Sequence, residues 1–182
     1  MKSVCILAAA TLISLPAMAA EAGSPAVGKI LDQQLNMAEH EVVSLAEAMP
    51  ADKYGFAPTH GEFSGVRTFA QQMTHIATVI YATSASVLGD KPVEMGPGEN
   101  GPANLKTKEQ VVKYLKDSFA YGHKAMMSLT SANITELIVP AFGKGKAPRL
   151  SMATVPLWHS FDHYGQAVEY ARMNGIVPPA SR

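Results

Sequence analysis

The sequence predicts an all-α protein, a four-helix bundle, and three observations carry that prediction. Four long segments repeat apolar residues every three or four positions, the rhythm of one helix face. No run alternates apolar and polar residues as a half-buried strand does. A connection rich in glycine and proline, GDKPVEMGPGENGPANLK at residues 89–106, separates the second and third segments. A loop that long is uncommon in a compact domain unless it has a task. A crossover along the bundle is such a task. It would let helices two and three point the same way, in up-down-down-up order.

The elements follow in order. Residues 1–19 read as a secretory signal peptide: Lys2, an apolar run from Val4 to Leu15, the Pro16 break and the triplet Ala17-Met18-Ala19. The product is expected to be periplasmic or secreted, with no stable membrane span once that segment is gone. Residues 20–182 are expected to form a single domain with one core. The first helix is predicted over residues 25–49, with Ile30, Leu35, Met37, Ala38, Val42, Leu45, Ala46 and Met49 as its apolar positions, ending at Pro50. The second is predicted over residues 64–88, with Ser64 as N-cap, then Val66, Phe69, Ala70, Met73, Ala77, Ile80 and Ser84, ending at Gly89. The third is predicted over residues 107–129. Thr107 with Gln110 three residues on makes a capping box, and Val111, Tyr114, Leu115, Phe119 and Met126 follow. The stretch ITELIVPAFGKGKAPRL then leads into the fourth, predicted over residues 151–174, with Gly175 at the C′ position that favours glycine. That stretch is expected to cover one end of the bundle.

Charge narrows the function classes. Removing residues 1–19 takes away Lys2, which leaves 14 of the 15 basic residues against 15 acidic ones. No nucleic-acid partner is expected of a surface without a basic stripe. The one cysteine, Cys5, leaves with the signal segment. The remaining chain has no disulfide, no thiolate ligand, no cysteine nucleophile and no CxxCH for covalent haem.

The segment WHSFDHYGQAVEYAR carries the chemistry. At 100° per residue, Leu157, Phe161, Tyr164, Val168 and Ala171 form an apolar stripe expected to meet the core. Asp162, Glu169 and Arg172 fall on a charged arc. His159, His163, Gln166 and Tyr170 make a third stripe bordering the core, as a cavity lining would. Side chains at i and i+4 lie about 5–6 Å apart at Cβ, close enough for two imidazoles to share a metal ion. A third ligand is needed. The chain offers His40, His60, His75 and His123, of which His123 looks solvated and His60 sits in a turn. Periodicity alone leaves the choice open, because His75 lies off the centre of its helix's apolar stripe. Trp158 and Tyr164 read as core or groove aromatics, Tyr170 as core packing.

Three stretches in order, MPADKYGFAP, FSGVRTFAQQMTHIA and HSFDHYGQAVEYARMNGIVPP, resemble the DinB family across residues 25–179. Its members are four-helix bundles mostly described as candidate metal-dependent enzymes. The resemblance implies the up-down-down-up order and a divalent metal held by one helix-two histidine and the helix-four HxxxH pair. In this sequence those are His75, His159 and His163. It also matches Gly165 and Gln166 after the last histidine, and Gln166 is expected to orient a ligand or bound water.

The implied cofactor is a divalent metal ion, zinc or nickel first, then iron or copper, since imidazole suits all four. Three histidines would leave open positions for a small-molecule substrate or ligand, and a homodimer is allowed. The expected activity is that of an exported metal-dependent hydrolase or transferase, set against a non-catalytic metal- or small-ligand-binding bundle. No HExxH-type carboxylate supplies a general base, and Asp162 points to the charged arc. Relatives include enzymes that use low-molecular-weight thiols, which are mainly cytosolic, whereas this chain reads as exported. Ligand imidazoles must be deprotonated, and an unperturbed pKa near ~6.5 would make acid mimic a chelator.

Overall fold

The computed structural model describes residues 26–182, and the signal-peptide reading of residues 1–19 lies outside them. The helices are α1 (Val27–Ala48), α2 (Phe69–Leu88), α3 (Lys108–Met127) and α4 (Arg149–Met173). Among the described residues, no helix is long and apolar enough to cross a membrane. Thr107 and Gln110 form the expected capping box at α3. At the end of α4, Gly175 takes φ 75° and the Ile176 amide reaches back to Ala171 O at 3.0 Å. That is the left-handed stop the sequence called for.

Helix α2 starts later than predicted. Its N-cap is Thr68, whose hydroxyl accepts from the Gln71 amide while Gln71 Oε1 accepts from the Thr68 amide. Ser64 has Arg67 three residues on, a side chain with no acceptor to return that second bond. The segment MPADKYGFAP explains the rest of this corner. Phe56 O and Tyr54 O accept from the free amides of Phe69 and Ala70, each at 2.8 Å, and the Tyr54 hydroxyl donates to Ala46 O at 2.6 Å. It ties the end of α1 to the start of α2.

Contacts fix the helix directions. Along α2 and α3, Thr78 meets Tyr114 and Tyr81 meets Tyr121, so these neighbours run parallel. Gly28 approaches Met126 O and Leu129 O while Glu47 pairs with Lys116 at 2.5 Å, so α1 and α3 are antiparallel. Gln72 and His75 meet His163 and His159, which makes α4 antiparallel to α2. The order is up-down-down-up. Helices α1 and α2 lie on one diagonal, α3 and α4 on the other.

Leu35, Leu45, Phe69, Met73, Ile76, Ile80, Leu115 and Phe119 are fully buried between them. Each such side chain contributes about 1.5–3 kcal/mol relative to exposure. Ile30 and Met37, two of the apolar positions of the first helix, are exposed. His123, expected in solvent, is only partly exposed. Its ring is wedged between Asp32 (2.7 Å) and Glu39 (2.9 Å). Burial alone would lower its pKa, but the bonds to Glu39 and Asp32 outweigh that and the net shift is upward.

The stretch before α4 forms a minimal antiparallel hairpin, β1 (Leu137–Ile138) with β2 (Ala147–Pro148). Arg149 then donates to Val87 O and pairs with Glu136 at 2.7 Å, fastening the hairpin over the end where α2 stops and α4 begins. The crossover between α2 and α3 tightens into a turn at residues 96–101. A Cβ on Gly96 would fall 2.3 Å from Gly101 O, and one on Gly101 would fall 2.5 Å from Thr78 Oγ1. Only glycine fits at either place.

Candidate metal centre

Of the stripe predicted to meet the core from α4, Ala171 is buried and Leu157, Tyr164 and Val168 pack against the core at partial burial. Phe161 and Trp158 are exposed, and the buried face is Ala153, Pro156, His159, Ser160, His163, Ala167, Tyr170 and Ala171. Small residues let α4 approach α2 closely, so the imidazoles span the gap between the helices. The histidine stripe therefore lies within the buried face. Tyr170 packs edge-on against Phe56, ring centroids 5.7 Å apart.

His75, His159 and His163 converge across that gap. They are 3 %, 9 % and 7 % exposed, and one ligand nitrogen from each lies within 4.8 Å of the other two. Of the other histidines, His40 and His60 are exposed and His123 sits between α1 and α3, none of them at this cluster. The periodicity of α2 could not single out His75 because 15 of its 20 residues are buried. A helix enclosed on nearly every side has no stripe to read.

The ring orientations are set by neighbours. His75 Nδ1 lies 2.9 Å from Glu99 O in the crossover turn. A carbonyl only accepts, so Nδ1 carries the proton and Nε2 of the neutral ring is bare. His163 Nδ1 likewise donates to Gln72 Oε1 at 2.7 Å, and Gln72 Nε2 donates to Gln166 Oε1 at 3.0 Å. His163 Nε2 is therefore bare as well. Gln166 thus holds Gln72, the partner of His163. His159 Nε2 lies 3.1 Å from His75 Nε2, and its Nδ1 is buried with no partner among the described residues.

His75 Nε2 is bare, so at that distance it either accepts the His159 Nε2 proton or shares a cation with a deprotonated His159 Nε2. A tetrahedral ion with Zn–N of about 2.0–2.1 Å sets its nitrogens about 3.3 Å apart. The donor set fits a divalent ion.

Burial favours the deprotonated form of every ring. Desolvation, then the neighbouring His163, His75 and Arg67, push His159 down to about 3. Desolvation and His75 push His163 down to about 4. His75 is also lowered, chiefly by burial, against the pull of its bond to Glu99. The unperturbed value near 6.5 assumed from sequence does not apply here, and the ligand nitrogens stay free of protons well below neutral pH.

Residues 34–167 match the sequence profile of the DinB superfamily. The chain belongs to that superfamily. Solved structures share the fold at low identity. A DinB-like protein from Bacillus cereus ATCC 10987 has TM-score 0.67 and 16 % identity, covering 83 % of this chain and 95 % of that one. A conserved protein from Enterococcus faecalis has TM-score 0.66 and 13 % identity, covering 82 % and 98 %. A candidate member of the DinB family from Exiguobacterium sibiricum 255-15 has TM-score 0.60 and 17 % identity, covering 84 % and 95 %. No curated protein matches the chain.

Sequence reading missed three groups around this DinB cluster. Gln72 carries no charge and sits on a helix buried almost all round. The Glu99 contribution is a backbone carbonyl, presented because Glu99 adopts φ 60°, a left-handed conformation rare outside glycine. Asp162 lies on the solvent arc as expected, and from there its Oδ2 comes within 3.9 Å of His163 Nε2. Its place beside His163 in the chain was the available signal.

Proposed function

We propose that His75, His159 and His163 hold one divalent ion, zinc or nickel ahead of iron or copper, and that the protein is a metal-dependent hydrolase or transferase acting on a small molecule. The observation that carries this reading is the pair of facing Nε2 atoms 3.1 Å apart, with the His75 ring turned by Glu99 so that its nitrogen is bare. A bound ion of this kind lowers the pKa of a coordinated water or thiol, or polarises a carbonyl. The protein's own groups do the rest. Glu99 O and Gln72 Oε1 fix two ring tautomers, and Gln166 holds Gln72 in place. The exposed Asp162 carboxylate, at the rim beside His163, is placed to take a proton from an entering ligand. The purified protein is expected to carry about one divalent ion per chain. Elemental analysis of wild type beside H75A, H159A and H163A checks this, and full metal retention by all three variants sinks it.

The near-complete burial of the rings supports a second reading, a non-catalytic metal- or small-ligand-binding bundle. Screening the metal-loaded protein for hydrolase and thiol-transferase turnover separates the two. We further propose export, on the Lys2, apolar run and Ala-Met-Ala sequence. The expected mature N-terminus is Ala20 or Glu21, and protein recovered outside the cytoplasm with Met1 intact rules it out.

A further inference from the structure

We propose that Arg67 is the recognition point for a carboxylate on the small molecule that enters the histidine cluster, so that the ligand class of this site is an organic anion. The proposal rests on the metal reading above. Arg67 precedes the α2 N-cap and reaches into the crossover, where Nε donates to Asn100 Oδ1 and Nη2 to Gly98 O, both at 2.8 Å. The residue between those two acceptors is Glu99, whose carbonyl holds His75. The guanidinium and the His75 ring are therefore fastened to the same three-residue turn. Its charge is felt by His75, His159 and His163 alike.

Pinning the turn does not explain the charge. Both acceptors are neutral, and among the described residues no carboxylate forms an ion pair with Arg67. The guanidinium is partly exposed and its two acceptors carry no charge. Three neutral imidazoles around a divalent ion add no negative charge to offset it. Of the five N–H groups of a guanidinium, the bonds to Asn100 and Gly98 use two. One on Nη2 and both on Nη1 are left, and they form the fork that a carboxylate accepts in bidentate fashion.

The test uses the cobalt(II)-loaded protein and two thiols that differ only in their tails, 3-mercaptopropionate and 3-mercaptopropionamide. Thiolate binding to cobalt is read from its charge-transfer band. In wild type the carboxylate tail is expected to bind about tenfold tighter than the amide, the scale of a charge-assisted hydrogen bond. In Arg67→Gln that ratio should fall toward one while the amide affinity stays as it was. An Arg67 that only supports the turn would weaken both thiols alike, and that result overturns the proposal. So does a wild-type ratio of one. Should Arg67→Gln shed its cobalt, Arg67→Lys is read in its place. A tail ratio above one that grows as salt is withdrawn supports the proposal, and a salt-insensitive ratio overturns it. Cobalt bound normally with no tail preference removes the anchor and leaves the metal centre standing. A wild-type protein with no cobalt absorption removes the metal centre itself, and the anchor with it.

Discussion

Lowering the pH of the metal-free protein from neutral to about 5 is expected to cost it several kcal/mol of unfolding free energy. The sign follows from where the protons go. In the unfolded chain the histidines titrate near 6.5, whereas burial holds His159 at about 3 and His163 at about 4 in the folded bundle. Between those limits the unfolded state takes up protons that the folded state refuses, so stability falls as pH falls. Above the unfolded value neither state is protonated and nothing is lost. Each pH unit inside the window costs about 1.4 kcal/mol per ring, which by pH 5 amounts to about 2 kcal/mol for each of the two. Bundles of this size have about 5–15 kcal/mol in all, so the loss is large. Urea unfolding in chelator at several pH values measures it. His159→Leu removes a titrating group from both states and should flatten the slope by about one proton. A wild-type stability that does not change across the window contradicts the burial of these rings.

Adding the metal is expected to give the second large effect. An ion that binds only the folded state stabilises it by about 2.7 kcal/mol at a hundredfold excess over Kd. For a domain of this size that corresponds to a Tm higher by about 5–10 °C. The apolar core joins all four helices without help from the histidines, so a chelator should lower Tm by that amount and leave the chain folded. Acid would not mimic the chelator near pH 6.5, because burial holds His163 at about 4 and His159 at about 3 and lowers His75 as well. Metal should stay bound in that interval. Calorimetry with and without chelator, at neutral pH and near pH 5.5, reads both points. A Tm indifferent to chelator in a sample shown to be metal-loaded would reduce the three imidazoles to packing groups.

Much of the fold was legible because it rests on local chemistry. The α3 capping box, the Gly175 stop and the long crossover are each written in a few adjacent residues. The start of α2 was misread because Ser64 and Thr68 both look like caps, and only the glutamine three residues beyond Thr68 decides between them. The inward face of α4 was only partly legible, for a different reason. Leu157, Tyr164, Val168 and Ala171 meet the core as expected, but its fully buried positions are largely alanines, a serine and histidines while Trp158 and Phe161 face outward, so side-chain size misleads about direction. The HxxxH pair could be seen at once, and His75 could be reached only through family likeness. Gln72 and the Glu99 carbonyl had no sequence signature, since their roles depend on contacts between α2, α4 and the crossover.

The crossover is two loops of different kinds spliced end to end, and this bears on how the protein can be rebuilt. Lys91, Pro92 and Glu94 are exposed along its first stretch, and closing a longer chain there adds only slowly to the entropy of folding. Tags, labels or grafted peptides belong in that stretch. Residues 96–101 are closed to such editing, because two glycines there have no room for a side chain and Glu99 between them orients His75. A designer reading only the glycine and proline content would treat both halves as spacer. The second half is a part of the site that happens to be made of backbone.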